Sequence, residues 1–281
     1  MALRINTLLL VIFTGLWILA ADCAFAQSLK PTLEKSWNTY LQASRSGNES
    51  ELQKTMSSFS LYTLKNKLAS AQRSLTPEII KSFAKYSPDI SKMEFAGVLE
   101  KGDNASLVYV RDSGKKDASG NPMATFSAIK FVKESGWKVD ATMNCDKPMY
   151  QNDGRKTGFY LSDLRQDCAM DGNVKPAPAL VSKPYSSALL DVFSYGYQAQ
   201  VTVNGVPQEP VTASWSGVVI GGLRKNKNNI TIRMTKVDTD KQSVPKIRIR
   251  QLLKNRTTRE VLKFEPRKNI EGVHTFTVSV I

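Results

Sequence analysis

Histidine and cysteine are scarce in this chain. His274 is the single histidine, and only three cysteines occur in 281 residues. Zinc hydrolase sites and Ser-His-Asp triads draw on histidine, and the sequence has no G-x-S-x-G nucleophile elbow. The sequence therefore predicts no metal site, no cofactor and no catalytic triad. It favours a protein that is not an enzyme, with His274 on a strand surface.

Long apolar runs are confined to the N-terminus. An almost unbroken apolar run covers Leu8 to Leu19, and Ala24-Phe25-Ala26 has the A-x-A pattern of a cleavage site. The run is shorter than the roughly 20 residues that a membrane-spanning helix needs. We therefore predict a signal peptide over residues 1–26, a periplasmic or secreted protein, and no transmembrane segment after the signal is removed.

Two cysteines remain once that segment is set aside. In an oxidising compartment, Cys145 and Cys168 would most simply form a disulfide, worth about 2–4 kcal/mol of stability. The third cysteine, Cys23, would be a lipid-modified first residue in a rival interpretation. Asp22 disfavours that interpretation, because it stands where lipoprotein signals carry a small neutral residue.

Helical periodicity comes first in the remaining chain. Apolar residues recur at spacings of three and four from Leu33 to Tyr86, with breaks at Gly47 and at Thr76-Pro77, which predicts three or four helices. The pattern then changes to the alternation of strands, and Ser135-Gly136 makes a hairpin turn within it. Helices followed by an antiparallel meander predict an α+β domain over residues 27–145, with helices packed on a curved sheet.

Two stretches carry a resemblance to a known family. They are GDNASLVYVRD, from Gly102 to Asp112, and FVKESGWKVD, from Phe131 to Asp140. With the helices before them, residues 30–145 resemble the nuclear transport factor 2-like superfamily, especially its small exported bacterial domains. The resemblance implies a cone-like fold, which holds a ligand, an active site or neither. The acid and base residues of the enzymatic members have no residue-by-residue match here, so the resemblance implies a scaffold.

A linker and a second domain follow. Residues 146–184 lack sustained periodicity and end in the proline-rich stretch 175–184, which is typical of a stiff linker. From residue 185 to 281, short alternating runs with turns about every ten residues predict an all-β sandwich. The segments VTVNGVP and GGLRKNKNNITI are vaguely similar to accessory sandwich domains. The expected strands are Ala188–Tyr195, Gln198–Val203, Thr212–Ile220, Asn229–Val237, Pro245–Leu253, Glu260–Phe264 and Val273–Val280.

Positive charge is concentrated in this second domain. The chain has a net charge of +14, and residues 224–281 contain 15 Lys and Arg against 5 Asp and Glu. Two predicted turns carry most of the clustered cations, namely Arg224, Lys225 and Lys227 in one and Lys254, Arg256 and Arg259 in the other. Such asymmetry points to an anionic partner.

One strand adds a row of like charges. Lys246, Arg248 and Arg250 alternate with Ile247 and Ile249, so the three cations share one face of the strand. Like charges on one face repel, and an anionic partner would offset that cost. The competing interpretation is a solvated edge whose charges prevent aggregation.

Carboxylate pairs are weaker candidates for chemistry. Glu134 and Asp140 flank the hairpin turn, but the neighbouring Lys133 and Lys138 favour a charged, exposed face over an acid–base pair. Tyr109 and Tyr86 are the tyrosines that an active site in the cone would use.

The sequence thus predicts an exported, non-enzymatic binding or scaffold protein of the cell envelope. Its partner would be an envelope polyanion, such as lipid headgroups, lipopolysaccharide or a cell-wall polymer, or an acidic protein surface. Nucleic acid is disfavoured by export and because Phe264 is the only aromatic residue among the cations. The alternatives are a small-ligand-binding protein or enzyme with a pocket in the cone, and a component of a larger assembly. The residues predicted to bind the partner are Lys246, Arg248, Arg250, Arg256 and Arg259.

Overall fold

A computed structural model describes residues 29–148, 172–238, 243–268 and 270–280. The predicted signal peptide and Cys168 lie outside these residues, so the disulfide with Cys145 stays a prediction. The chain divides into two compact units. Unit 1 contains the described residues up to Leu61 and those from Thr76 to Pro176, whereas unit 2 contains Tyr62–Leu75 and those from Ala177 onward. Within the described ranges, no helix is both long and apolar enough to cross a membrane.

The helices come first, as predicted. They are α1 (29–46), α2 (Glu49–Thr55), α3 (Ser58–Ser70) and α4 (Pro77–Tyr86), with a 3₁₀ turn at Ile90–Lys92. The side chain of Asn48 caps α2 by accepting from two backbone N–H groups, and Thr76 caps α4 ahead of a proline in its first turn. The predicted breaks between helices are therefore confirmed.

Four antiparallel strands follow in unit 1. They are β1 (Glu94–Lys101), β2 (Asn104–Lys116), β3 (Pro122–Lys133) and β4 (Trp137–Pro148), in the order β1-β2-β3-β4. The predicted hairpin is confirmed, because Lys133 pairs with Trp137 across residues 134–136. The register shifts at Phe95/Gly97 and at Lys130/Phe131, and such bulges bend a sheet locally.

The part of unit 2 from Ala177 onward is built from two four-stranded antiparallel sheets. All seven strands predicted for this region are confirmed, and the structure adds the short β7. The strands are β5 (Ala188–Phe193), β6 (Tyr197–Val203), β7 (Val206–Pro207), β8 (Ser214–Val218), β9 (Asn226–Lys236), β10 (Lys246–Leu252), β11 (Thr258–Phe264) and β12 (Gly272–Val280). Their orders are β11-β10-β5-β8 and β12-β9-β6-β7. The chain is thus α+β first and β-rich afterwards, as predicted.

One apolar cluster in unit 2 contains side chains from both sheets. Leu190 and Ile249 come from the first sheet, and Val201 and Ile232 from the second. Along β10, the residues at alternate positions are buried, from Ile247 to Gln251. Buried residues therefore alternate with more exposed residues along β10, as the sequence predicts.

Truncating the inward face of β10 should destabilise unit 2 strongly. Ile249 is fully buried, so Ile249→Ala should lower the free energy of unfolding by about 2–5 kcal/mol. Leu252→Ala, on the same strand but 39% exposed, should cost less than about 1 kcal/mol. Urea denaturation followed by circular dichroism measures both, and equal costs would contradict the assigned faces.

Candidate anion-binding surface

Acidic residues on the neighbouring strands compensate the cationic row of β10. Arg250 makes a bidentate ion pair with Asp191 of β5, with Nε–Oδ2 at 2.7 Å and Nη2–Oδ1 at 2.9 Å. Burial of Asp191 opposes its ionisation, but hydrogen bonds from Arg250 and Ser216 outweigh that effect and lower the pKa of Asp191. The carboxylate is therefore a fixed counter-charge.

Arg248 has acidic partners on the other side. Its Nη2 lies 3.0 Å from Glu265 Oε1, and its Nε lies 3.7 Å from Glu260 Oε2. Lys263 lies 3.1 Å from Glu265 as well. The like-charge repulsion expected from the sequence is thus offset within the protein. This face, with Lys246 included, carries four cations and three carboxylates, so it is only weakly positive.

A groove of about 550 Å³ lies along this face. Phe193, Trp215, Lys246 and Arg250 are among the side chains that line it. The Trp215 ring lies so close to Gly217 that a Cβ on this glycine would come within 2.3 Å of a ring carbon. A glycine at this position leaves room for the indole.

Two of the five predicted binding residues lie elsewhere. Arg259 pairs with Gln251 in the β10–β11 register, and its Nη2 donates to Gln251 Oε1 at 2.7 Å. Gln251 belongs to the buried face of β10. Arg256 lies in the turn after β10, with a positive φ of 64°. The structure therefore brings Lys246, Arg248 and Arg250 together and separates Arg256 and Arg259 from them.

The turn that holds Arg256 lies at the same end of unit 2 as the loop before β9. Ser186 exchanges backbone hydrogen bonds with Leu223, at 3.1 and 2.9 Å, and the next residue, Ser187, accepts one from Leu252 N at 2.9 Å. The two loops that contain the cations therefore leave the sheets side by side. We call the exposed cations of these loops and of the first two residues of the strands β9 and β11 that follow them the basic end: Arg224, Lys225, Lys227, Lys254, Arg256 and Arg259.

The basic end differs from the β10 face in its lack of acidic residues. Neither 219–229 nor 252–259 contains Asp or Glu. Among the described residues, none of the six cations forms an ion pair with another residue, in contrast to Arg248 and Arg250. Positive charge is thus better available at this end than on the β10 face.

A buried asparagine fixes the loop before β9. Asn228 is fully buried, and its Oδ1 accepts from Arg224 N at 2.7 Å while its Nδ2 donates to Arg224 O at 3.0 Å. Asn204 also donates to Asn228 Oδ1 at 2.8 Å. These bonds hold the cationic loop in one conformation. The sequence interpretation missed Asn228, although three asparagines among residues 226–229 are a turn signal.

In unit 1, a second cavity of about 350 Å³ lies beside the start of α3. Its lining includes Lys130, Glu134, Asp140 and Lys175, two residues of each charge, together with the Phe59 ring. The expected exposed position of Glu134 and Asp140 is therefore wrong.

Both carboxylates turn toward the N-terminus of α3. Glu134 accepts from the backbone N–H and the hydroxyl of Ser58, both at 2.8 Å, and pairs with Lys138 at 3.0 Å. Asp140 accepts from the hydroxyls of Ser57 and Ser60. Asp140 is the extra residue of the β3–β4 bulge, which redirects its side chain. Negative charge at this helix end is stabilising.

Of the remaining candidates for chemistry, Tyr109 and His274 have structural partners. Tyr109 donates to Glu34 at 2.7 Å, and Glu34 pairs with Lys30 at 2.7 Å. Burial and the Glu34 carboxylate raise the pKa of Tyr109 well above its ordinary value, which keeps the phenol protonated. Tyr86 is exposed, and His274 is half-buried with Nε2 at 3.1 Å from Ile270 O.

The Glu134 carboxylate should make the stability of unit 1 pH-dependent. Its burial opposes ionisation, but bonds from Ser58 and Lys138 outweigh this and lower the pKa of Glu134. Its contribution is therefore complete above the ordinary carboxyl pKa and is lost as the pH falls through the lowered value. Glu134→Gln should cost about 1–2 kcal/mol at neutral pH, and this cost should shrink as the pH falls through the lowered pKa of Glu134.

Urea denaturation at several pH values measures this difference. The matched control is Glu100→Gln, which removes an exposed carboxylate from β1 in the same unit and should leave the stability profile unchanged. An unchanged profile for the Glu134 variant would show that the carboxylate does not stabilise α3.

Comparisons with known proteins add no relative. Scans of protein families, curated proteins and solved structures found no match to this chain. Likeness to the nuclear transport factor 2-like superfamily therefore remains a proposal that depends on the quoted residues and the order of the elements. The basic end, the β10 face and the cavity beside α3 are the features on which a function can be argued.

Proposed function

We propose that this is an exported, non-enzymatic binding protein of the cell envelope, and that unit 2 contacts an anionic partner through the basic end. The observation that carries the proposal is the gathering of six exposed cations on two adjacent loops and the strand starts that follow them, in segments without an acidic residue. Uncompensated charge at one end attracts a polyanion over a distance of about 8–10 Å at physiological ionic strength. Arg256 and Arg259, expected from the sequence, belong to this surface.

The proposal assigns a smaller contribution to polyanion binding to Lys246, Arg248 and Arg250. Their face is nearly neutralised by Asp191, Glu260 and Glu265, so it gives little net attraction for a polyanion. A surface ion pair contributes at most about 1 kcal/mol, and its breaking would offset any gain from a new partner.

The architecture proposed for the two units suits a binding role. We regard unit 2 as a β-sandwich, because its two sheets share one apolar cluster. We regard unit 1 as a cone of the nuclear transport factor 2-like kind, in view of its helices and its bulged four-stranded meander. Both are scaffolds that present loops and pockets.

Neutralising the basic end should weaken polyanion binding. Each lysine near an anionic surface contributes about 1 kcal/mol, so replacing Lys225, Lys227 and Lys254 together by glutamine should weaken binding roughly a hundredfold. Fluorescence anisotropy with a labelled heparin oligosaccharide, used as a generic polyanion, measures the dissociation constant. Binding by the unaltered protein should also weaken steeply as salt is added.

The matched control removes the same charge from the other end of unit 2. Lys236, Lys246 and Lys263 lie at the opposite strand ends, and their replacement by glutamine should weaken binding far less. Equal losses in the two triple variants would show that net charge alone drives the contact. Binding that is absent or insensitive to salt would remove the proposed function.

The second candidate function is small-ligand binding by unit 1. The cavity beside α3 is within the size range of ligand sites, and Lys130 and Asp140 present opposite charges to it. Two lining charges of each sign suit a zwitterionic molecule.

Free amino acids are a direct probe of that cavity. A millimolar mixture should shift the backbone NMR signals of Asn104 and Val132, which line the cavity, and Lys130→Gln should reduce these shifts severalfold. Lys101→Gln, an exposed charge on β1 outside the lining, is the control. Unchanged signals around the cavity would eliminate this candidate.

A further inference from the structure

We infer that the anionic partner of the basic end is a phospholipid membrane surface, an inference that rests on the proposed function. The same end of unit 2 exposes two large amphipathic or apolar side chains beside the cations. Tyr185 is 51% exposed and Leu252 is 39% exposed. Such side chains would enter the boundary between lipid headgroups and acyl chains while the cations bind phosphates.

Backbone contacts place these two residues at the basic end. Tyr185 immediately precedes Ser186, which is hydrogen-bonded to Leu223, the residue before Arg224. Leu252 N donates to Ser187 O, and Lys254 follows two residues later. Tyr185 and Leu252 therefore occupy positions next to the two cationic loops.

The side chains of this surface distinguish between two candidate partners, a membrane and a soluble polyanion. A cell-wall polymer or an acidic protein tract would need only the cations, and its affinity would not depend on Tyr185 or Leu252. A bilayer would contact the cations and also Tyr185 and Leu252, because tyrosine is favoured at membrane interfaces and each buried CH₂ contributes to binding. Neither side chain belongs to the apolar cluster of unit 2. The two side chains are thus exposed beside the cations and are not packed in the core of the unit. This arrangement points to a bilayer as the partner.

The test compares two variants against two partners. One variant is the lysine triple of the basic end (K225Q, K227Q and K254Q), and the other is Y185S with L252S. Flotation with vesicles of phosphatidylcholine and phosphatidylglycerol measures membrane binding, and heparin anisotropy measures polyanion binding. We expect the lysine variant to lose roughly a hundredfold in both assays. The apolar variant should lose about tenfold with vesicles and nothing with heparin.

A measurement on the unaltered protein avoids dependence on the variants' folding. Vesicles that contain nitroxide-labelled lipids should broaden the amide NMR signals of residues 224–227 and 252–257. Signals of Lys236 and Lys246, at the opposite strand ends, should remain sharp.

The outcomes separate this inference from the proposed function. Heparin binding without vesicle binding would overturn the membrane inference and leave the polyanion contact intact. Equal vesicle binding by the apolar variant and the unaltered protein would also overturn it, as would broadening at Lys236 and Lys246 instead of the basic end. If the protein bound vesicles of phosphatidylcholine alone as well as it binds the vesicles that contain phosphatidylglycerol, charge would not be involved in membrane binding. Failure to bind either partner would remove both proposals.

Discussion

Pairing between β10 and carboxylates on its neighbours determines where unit 2 has available positive charge. Asp191 neutralises Arg250 from one side, and Glu265 and Glu260 neutralise Arg248 from the other. The guanidinium groups are thereby fixed within the sheet. The excess of basic residues is consequently available at the strand ends, on the loops around Arg224 and Arg256.

The sequence was sufficient to predict the local structure of β10. Alternation placed Ile247 and Ile249 inward and Lys246, Arg248 and Arg250 outward, because side chains of a strand alternate without exception unless a bulge intervenes. It was insufficient for the electrostatics. Asp191 is 59 residues from Arg250 in sequence, and only the pairing of β5 with β10 makes them partners. The same holds for the two cationic loops, which meet through Ser186.

In unit 1, a β-bulge made the prediction from alternating residues unreliable. Lys133 and Lys138 suggested an exposed charged face for Glu134 and Asp140. The extra residue between Val139 and Ala141 redirects Asp140, and three serines at the start of α3 supply hydrogen bonds to both carboxylates. A bulge has no reliable sequence signal here, whereas the helix breaks at Gly47 and at Thr76-Pro77 follow from residue type and were predicted correctly.

The indole that packs over Gly217 makes unit 2 spectroscopically distinct. Trp215 is the only tryptophan among residues 62–75 and 177–281, and it lines the groove on the β10 face. The emission wavelength of this fluorophore depends on the polarity around it. In a chain that begins after the predicted signal peptide, which contains Trp17, replacing Trp37 and Trp137 by phenylalanine would leave unit 2 with an intrinsic optical reporter, which would register hydration changes in the groove without an attached dye.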